Sequence, residues 1–562
     1  VVGAAAFLMV EYVGIPYSEI VKNAILPATL SYIGLFYIVH LEALKLGMKP
    51  ILNRHPRSWK EALIRMGLGL SGSVIVVAVL YWILDFVKRM LGDAAPWVAG
   101  AIVLAMYVFA TWMAAKSPDL PEDIDIENPQ ALDTWPAVKA GLHFLLPIGM
   151  LIWCLMVEEM SPSLSAFWAI VALVGLMLTQ RPLIAAFRGM PARGTWAAGF
   201  RDVVHGLADG SRNMIGIGVA TATAGVVVGA ITLTGLGLRM TEFVELVSQG
   251  NVIVMLLFIA FVCLILGLGV PTTANYVLVA TLMAPVVVEL GAQAGLVIPL
   301  IAVHLFVFYY GIMGDITPPV GLATFAAAAI SGEDAIATGV QGAIYALRTV
   351  ILPFIWIFNP ALLLIDIDSV GELVIVVSGS ILAMLIFAAC TMGWFRIRCR
   401  WWEVAALGLA CFLLFRPNLF MDYLAPEYAH LPASKAYDVA RDLPAGGRLV
   451  MVIGGQTIEG DDVRKTVALR LGAAGEDGRK RLAEAGLTLA GLGDTLKVSG
   501  VKFGSRARKS GFEQGWDVER LEVPSGRASP YWFYLPALAL VALVWWSQGR
   551  RVTPASGAPA RG

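Results

Sequence analysis

Long apolar runs recur along this chain and constrain its fold more than any other feature. The runs are about 17 to 22 residues long, enough for a helix to cross the roughly 30 Å of hydrocarbon in a bilayer. In lipid every backbone polar group must be satisfied within its own segment, so these runs predict helices and not open strands. The clearest are 66–87, 96–114, 141–157, 164–180 and 372–391. The sequence therefore predicts an all-α polytopic membrane protein.

Composition supports this class and excludes others. The chain is 58% hydrophobic and only 15% charged, and its net charge is zero. A neutral chain gives no electrostatic reason to expect a nucleic-acid partner, so the lipid bilayer is the expected surrounding. The cysteines have no paired metal-ligand spacing and are expected to be packing residues; they are Cys154, Cys263, Cys390, Cys399 and Cys411.

Basic loops predict the orientation of the spans, because Lys and Arg next to membrane helices stay mainly on the cytoplasmic side. Three clusters are expected there: Lys45, Lys49, Arg54, Arg57, Lys60 and Arg65; Arg181, Arg188, Arg193 and Arg201; and Arg396, Arg398 and Arg400. An outward span at 402–415 then leads to 417–530, which holds 31 of the 82 charged residues. A last apolar run, 531–546, returns to Arg550 and Arg551. We therefore expect a soluble extracytoplasmic domain and a cytoplasmic, disordered tail.

Two segments interrupt the apolar runs between residues 211 and 365. The first runs from Gly267 to Asn275 (GLGVPTTAN) and the second from Gly311 to Gly321 (GIMGDITPPVG). Proline removes a backbone donor and glycine permits unusual dihedral angles, so each segment predicts a broken helix with freed carbonyl groups. Such groups at membrane depth line a cavity or meet an ion. Carbonyls and Thr hydroxyls suit a small hard cation such as sodium, and half-helix N-termini suit an anionic substrate.

The alternative is a pair of proline kinks in ordinary packed helices. Two breaks of matching Gly/Thr/Pro chemistry, about 45 residues apart, favour a transport site instead. Asp315 supports this interpretation because an ionisable group beside a break is costly in lipid, although it could also cap a helix at the membrane edge. His304, in the apolar run before the second break, is expected to be a hydrogen-bonded packing residue and not a proton relay.

The start of the chain resembles the residues that follow the second break. At a constant offset of 318, Val2, Gly3, Ala5, Phe7 and Gly14 match Val320, Gly321, Ala323, Phe325 and Gly332. Many transporters contain two copies of one structural unit with inverted topology. The matching residues therefore predict that the chain begins inside the first copy, and that the broken helix of that copy would lie before Val1. We accordingly expect an N-terminal piece before Val1.

Three stretches resemble the fused membrane subunit of TRAP transporters, of the class that works with TAXI-type binding proteins. They are Gly267 to Asn275, Tyr309 to Ala327 (YYGIMGDITPPVGLATFAA), and the opening GAAAFLMVEYVGIPYSEI with His40-Leu41-Glu42-Ala43. The resemblance covers most of 1–365. It implies an inverted-repeat, elevator-type importer with discontinuous helices and re-entrant hairpins in the bacterial inner membrane. A sodium gradient would drive it, and an extracytoplasmic TAXI-type binding protein would deliver a small organic acid.

The resemblance also implies roles for residues at the two breaks. It predicts a sodium site and a substrate cavity there, and no catalytic residue or cofactor beyond the coupling ion. The sodium candidates are Gly267, Gly269, Thr272, Thr273, Gly314 and Thr317, and the cavity candidates are Asn275, Asp315 and Pro318.

Seven regions follow from this interpretation. They are the end of the first repeat (1–44), connecting helices (45–210), the second repeat (211–365), C-terminal helices (366–416), the soluble domain (417–530), a final span (531–547) and the tail (548–562).

The soluble region carries one recognisable run, from Ser505 to Val518. It resembles the helix and following turn of a PDZ domain, with Trp516 inserted before the usual Asp. Alternating apolar residues predict strands at 449–453 and 496–503. No Gly-Leu-Gly-Phe loop is present, so we expect a small α+β structural domain near the docking face in preference to a peptide receptor.

Other function classes lack their motifs. The six histidines form no H-E-x-x-H pair and no Gly-x-Ser-x-Gly elbow is present, which argues against a PDZ-bearing membrane protease. No G-x-x-x-x-G-K-[ST] loop exists to hold a nucleotide, so a primary pump is not expected. A channel or sensor would not need paired broken helices. A carboxylate carrier that needs no binding protein remains an alternative.

Overall fold

The computed structural model describes most of the chain. The described residues are 5–48, 90, 95–117, 134–158, 160–268, 270, 272–318, 321–367, 369–456, 462–475, 477–491 and 496–551. The chain divides into two compact units, one of Met48–Gly216 and one of Val1–Gly47 with Ile217–Gly562.

Helices dominate both units. In chain order the described helices are α1 (Ala5–Val13), α2 (Tyr17–Lys45), α3 (Ala95–Ala115), α4 (Thr134–Gly141), α5 (Leu145–Met156), α6 (Pro162–Phe187), α7 (Thr195–Thr234), α8 (Leu236–Ser248), α9 (Val252–Leu266), α10 (Thr272–Leu282), α11 (Ala284–Gln293), α12 (Leu300–Ile312), α13 (Leu322–Ser331), α14 (Ala335–Phe358), α15 (Val370–Met392), α16 (Trp401–Phe415), α17 (Pro417–Leu424), α18 (Ala436–Asp442), α19 (Gly478–Glu484), α20 (Arg506–Lys509) and α21 (Tyr534–Arg551). Short 3₁₀ turns occupy 142–144, 313–315, 360–363, 433–435 and 530–533.

The membrane class predicted from the apolar runs is confirmed. Within the described ranges, seven helices are long and apolar enough to span a bilayer, and an eighth span results if α16 and α17, which meet at a 76° bend, are taken together. α3, α6 and α15 contain the runs predicted at 96–114, 164–180 and 372–391. The run at 66–87 and the middle of the first basic loop lie outside the described residues.

The α7 helix crosses the start of the predicted second repeat. It runs unbroken from Thr195 to Thr234, so the chain is continuous helix on both sides of residue 211. Glycines such as Gly210, Gly218 and Gly225 are present, but this helix contains no proline. Glycine alone costs about 1 kcal/mol relative to alanine and keeps the backbone donor that proline lacks, so the helix persists.

The smaller unit is held together by contacts between α3 and α6. The Tyr107 hydroxyl lies 2.7 Å from the Thr179 hydroxyl. The Arg188 guanidinium donates to the carbonyl oxygens of Ala115 (2.9 Å) and Ser117 (3.0 Å) at the end of α3. These carbonyls lack helical partners, so the cation satisfies them and fixes the end of α3 to α6.

The larger unit is built around α12, whose residues from Ile301 to Gly311 are all buried. Two hydrogen bonds fix α12 to α14: Trp356 Nε1 donates to Ala302 O at 3.1 Å, and the Tyr310 hydroxyl donates to Val350 O at 2.5 Å. Around α12 pack α9, α10 and α11, and α8 packs in turn on α9 and α11. The helices α8–α12 are called the broken-helix bundle below.

A second group of helices lies on the other side of α14. In this group α2 packs on α15, α15 on α16, and α16 on α21, and these four are called the supporting layer below. α14 contacts both groups, and its Arg348 Nε donates to Ser31 O of α2 at 2.9 Å. α14 therefore joins the bundle to the layer.

A buried carboxylate fastens the last helix to this layer. Glu403, at the start of α16, is fully buried. It accepts hydrogen bonds from the Ser547 hydroxyl at 3.1 Å and Gln548 Nε2 at 3.2 Å, and it pairs with Arg551, all on α21. Its Oε2, which accepts from Gln548, also accepts from the Arg400 backbone N–H at 2.8 Å. The charge is thus paired and hydrogen-bonded, which makes its burial tolerable.

The C-terminal domain is a small α+β structure. Its strands are β1 (Tyr428–Pro432), β2 (Arg448–Gln456), β3 (Asp462–Arg470), β4 (Leu487–Ala490), β5 (Leu496–Val501) and β6 (Asp517–Pro524). They pair antiparallel in the order β3-β2-β6-β5-β4, with β1 also on β6. β2 and β5 contain the strands predicted at 449–453 and 496–503, although β5 ends two residues early. Alternate residues of both strands enter one apolar core.

Arg481 stabilises one end of this domain. It is 3% exposed, and its guanidinium donates to the carbonyl oxygens of Ala440 (2.6 Å), Leu443 (2.5 Å) and Pro444 (3.0 Å). These carbonyls lie at and just beyond the end of α18, where helical donors are absent. A single cation therefore satisfies several buried acceptors.

We predict that Glu403→Ala destabilises the protein strongly. The change leaves Arg551 and Gln548 without their buried acceptor, and breaking a buried pair typically costs about 3–5 kcal/mol. A thermal unfolding scan in detergent should show a clearly lower Tm. Glu242→Ala is the control, because Glu242 pairs with Arg239 at an exposed site. Equal shifts in the two variants would contradict the role given to Glu403.

Candidate functional site

The first break separates α9 from α10. Asn251 starts α9 with its side chain, whose Oδ1 accepts from the Ile253 backbone N–H at 3.0 Å. α9 ends at Leu266, and Gly267 caps it with its N–H still bonded to Cys263 O at 3.0 Å. α10 begins at Thr272. The last carbonyls of α9 and the first amides of α10 thus lack regular helical partners at this point.

The second break separates α12 from α13. α12 tightens into the 3₁₀ turn Met313–Asp315, and α13 starts after Gly321. Gly321 has a φ of +36°, a left-handed conformation that glycine adopts without penalty. Its carbonyl oxygen accepts from the Thr324 hydroxyl at 2.8 Å. Gly314, Pro318 and Gly321, which were predicted to break the helix, therefore lie between the end of α12 and the start of α13.

The two breaks touch each other through their backbones. A Cβ added at Gly267 would collide with the Gly311 carbonyl, and one added at Gly314 would lie 2.6 Å from the carbonyl carbon and oxygen of Gly267. No side chain can occupy either space, because real Cβ atoms do not approach backbone so closely. Glycine at these positions lets two unwound segments lie in direct contact.

Asn275 completes this contact from the first turn of α10. It is 1% exposed, and its Nδ2 would lie 2.7 Å from a Cβ on Gly311 and 3.0 Å from one on Gly267. Its Oδ1 is buried and, among the described residues, has no hydrogen-bond partner. An unsatisfied buried acceptor costs about 1–3 kcal/mol, so a hydrogen-bond donor or a cation that binds this oxygen would remove that cost.

The sodium candidates occupy different positions around this contact. Gly267 and Gly314 are buried in it, whereas Thr272 is exposed and Thr273 half-buried at the start of α10. The Thr317 hydroxyl donates to Met313 O at 3.0 Å, which leaves its oxygen lone pairs free to accept a ligand. Gly269 lies outside the described residues.

The cavity candidates do not share one environment. Asn275 lies among the glycine backbones, whereas Asp315 is half-buried on the 3₁₀ turn. The Pro318 ring lies against α14, where its Cγ would be 3.0 Å from a Cβ on Gly339. A cavity lined by all three residues remains a prediction, and Asn275 is better placed as an ion ligand.

A buried polar pair lies next to the breaks. His304 Nδ1 on α12 is 2.9 Å from the Tyr276 hydroxyl on α10, and both residues are buried. This is the geometry of the hydrogen-bonded packing role expected for His304. The bond joins the two broken helices directly beside Asn275.

Sequence reasoning missed one contributor to the contact between the breaks. Gly311 was part of the second motif, but only its distance to Asn275 reveals its role. In the described part of the chain, no group of three or more His, Cys, Asp or Glu side chains could hold a metal. An ion at the breaks would therefore rely on backbone and amide oxygens.

Comparison with protein families now identifies the membrane part. Residues 76–369, just over half of the chain, match the family of the tripartite ATP-independent periplasmic transporter, DctM component. The chain belongs to the DctM family. Residues 373–554 match a domain of unknown function, DUF3394. No curated protein and no solved structure matches the chain.

Family membership gives the general role of the chain. DctM proteins are membrane components of transporters that work with an extracytoplasmic binding protein, and this chain is a multi-pass protein of the bacterial inner membrane. Both breaks lie within the DctM match. The DUF3394 match covers α15, α16, the whole C-terminal sheet and α21, so it joins part of the supporting layer to the soluble domain.

We predict that Gly267→Ala abolishes most transport. The added methyl group would push the two breaks apart, and a displacement of about 1 Å at a site can cost on the order of a hundredfold in rate. Substrate uptake by proteoliposomes measures the effect. Gly149→Ala is the control, because a Cβ there meets open space within a helix. Comparable activity of the two variants would show that the backbone contact is dispensable.

Proposed function

We propose that this DctM component imports a small organic acid by coupling it to sodium. The observation that carries the proposal is the contact between the two breaks, where the buried Asn275 Oδ1 has no hydrogen-bond partner among the described residues and lies beside closely packed glycine backbones. Broken helices at membrane depth are typical of substrate and ion sites in secondary transporters.

Oxygen chemistry at the breaks supports sodium as the coupling ion. The candidate ligands are carbonyl oxygens near Gly267 and Gly314, the Thr317 hydroxyl and Asn275 Oδ1. These are uncharged hard oxygens, which unwound helix ends commonly offer to sodium. The C-terminal ends of α9 and α12 add the partial negative charge of their dipoles. A bound cation would satisfy both the carbonyls and the orphan amide oxygen.

The same breaks support an anionic substrate. α10 and α13 begin at the breaks, so their free N–H groups and positive dipole ends lie beside the proposed ion. A carboxylate bound there would be stabilised by the amides and by the nearby cation. A small organic acid delivered by a binding protein of the TAXI type fits this arrangement.

The division between bundle and layer supports an elevator motion. The breaks lie on α9–α13, and α14 connects the broken-helix bundle to the supporting layer. In such a cycle, ion and substrate close the contact between the breaks, and the bundle then moves against the layer as one body. We place the C-terminal domain on the extracytoplasmic side, as the basic loops around it predict.

A PDZ-like nature of the C-terminal domain is part of the proposal. Its support is local: Ser505 caps the short helix α20, and the following turn leads into β6. Trp516 in this turn is buried in the domain core. The inserted residue thus serves packing, which favours a structural role over peptide capture.

Sodium coupling predicts gradient-dependent uptake. Proteoliposomes with the full-length transporter and its binding protein are given radiolabelled small organic acids with an inward sodium gradient, an inward potassium gradient or no gradient. Accumulation should require sodium, because the proposed site is completed by the cation. Equal accumulation in potassium or without a gradient would overturn the coupling and leave a binding-protein-dependent carrier of another kind.

The ion site predicts that Asn275→Ala and Thr317→Ala raise the sodium concentration needed for half-maximal uptake. Removing one hydrogen-bonding partner of a charged group costs about 1.5–3 kcal/mol, so the increase should be roughly tenfold or more. Thr281→Ala is the matched control, since the Thr281 hydroxyl also donates to a helix carbonyl four residues earlier, Val277 O at 2.8 Å. An unchanged sodium dependence in Asn275→Ala would remove that residue from the site.

A further inference from the structure

The edge strand of the C-terminal sheet lies against a membrane helix. β3 ends the sheet on one side, and it contacts α11 of the broken-helix bundle. The Thr466 hydroxyl on β3 lies 3.9 Å from the point that a Cβ on Gly295, just after α11, would occupy. An open edge strand exposes unpaired backbone groups, and this contact covers part of that edge.

Lys465 is the centre of this contact. Its side chain is only 10% exposed, and its Nζ lies 2.8 Å from Glu289 Oε1 on α11. Within its own domain, Glu513 Oε1 lies farther away at 3.8 Å, and the Trp516 ring centroid at 5.1 Å. Lysine is rarely buried without a partner, and 2.8 Å is the distance of a charge-assisted hydrogen bond. Among the described residues, the bundle therefore supplies the nearest counter-charge for a buried lysine of the soluble domain.

Glu289 is held in position but not enclosed. Gln293 Nε2, one turn later on α11, donates to the same Oε1 at 3.1 Å. The Glu289 side chain is 39% exposed, so water reaches one side of the pair. Partly solvated ion pairs contribute little to stability. Such a pair can be formed and broken repeatedly.

A second ion pair attaches the same domain elsewhere. Arg448, the first residue of β2, lies 2.8 Å from Asp366 Oδ1, in the segment before α15. The domain is also continuous with α16 through α17, and with α21 through the 3₁₀ turn at 530–533. α15, α16 and α21 all belong to the supporting layer. The soluble domain is therefore fixed to the layer, and in the described part of the chain it meets the bundle where its β3 edge packs on α11.

We propose that the C-terminal domain is a latch on the broken-helix bundle, closed by the Lys465–Glu289 ion pair. The latch rests on the proposed function, because it requires the bundle to move against the supporting layer. Since the domain is fixed to the layer, Lys465 and Glu289 must separate when the bundle moves. The domain thereby favours one end state of the transport cycle.

Reversible cross-linking tests the latch. Glu289→Cys and Lys465→Cys are combined and bridged by a bifunctional thiol reagent long enough to replace the ion pair. We expect uptake in proteoliposomes to fall at least tenfold on bridging and to return on reduction. The same chain without added cysteines, treated with the same reagent, corrects for any reaction of native cysteines.

The matched control bridges the domain to the layer. Asp366→Cys with Arg448→Cys uses the same domain and the same chemistry at the second ion pair, and its bridging should change uptake by less than twofold. Unchanged uptake with the 289–465 bridge would overturn the latch, because the domain would then travel with the bundle. Equal loss with both bridges would also overturn it.

A second measurement does not depend on uptake. Thr466 is 7% exposed beside Gly295, so Thr466→Cys should react slowly with a maleimide in the purified protein. Adding Glu289→Lys places two cations together and should increase the labelling rate several-fold, while further exchange of Lys465 for Glu should restore slow labelling. An unchanged rate in Glu289→Lys would refute the ion pair as the closure. Sodium-independent uptake would refute only the proposed coupling, because the latch is judged by bridging and labelling.

Discussion

The contact between two unwound backbones at Gly267, Gly311 and Gly314 is the constraint on which the rest of the membrane structure depends. Each break frees carbonyl and amide groups where water is scarce, and such groups must find other partners. Bringing the breaks together lets one set of freed groups face the other. Only glycine permits the approach, since a Cβ at Gly314 would lie 2.6 Å from the Gly267 carbonyl. The Asn275 side chain enters this contact and carries both donors and an acceptor.

The surroundings of the breaks are correspondingly rigid. α12 is buried along its length, and hydrogen bonds from Trp356 and Tyr310 fix it to α14 on either side of its middle. The Tyr276–His304 pair joins α10 to α12 close to Asn275. These hydrogen bonds lie beside the breaks and not within them. They therefore position the free backbone carbonyl and amide groups of the breaks without occupying them as partners. Oxygens that remain available in a rigid frame are what selective ion binding requires.

Sequence reasoning located the breaks but not their contact, and the difference has a physical cause. Proline and glycine act on the local backbone, so Gly267 and the run ending at Gly321 marked helix ends correctly. In α7, which contains glycines but no proline, the helix continues without a break. Strands β2 and β5 were also found, because alternation of apolar residues is local. In contrast, the packing of Gly267 on Gly311 and the pairing of Lys465 with Glu289 join distant positions. Neither leaves a periodic pattern in the sequence.

The attachment of the C-terminal domain determines how force can pass through it. Polar contacts join the segments that lead into and out of the domain. The Arg527 guanidinium pairs with Asp422 and lies 3.5 Å from Glu427 Oε2. The Ser525 hydroxyl donates to Pro426 O at 2.6 Å. The rings of Phe420 and Phe533 lie 5.5 Å apart at the same place. A domain clamped at its base and folded as one antiparallel sheet transmits displacement of α16 and α21 to its far edge. That edge is β3, which packs on α11, and α11 follows α10, the helix that carries Asn275, after the single residue Met283. Under the proposed latch, a displacement of the supporting layer would therefore reach the bundle close to the contact between the breaks.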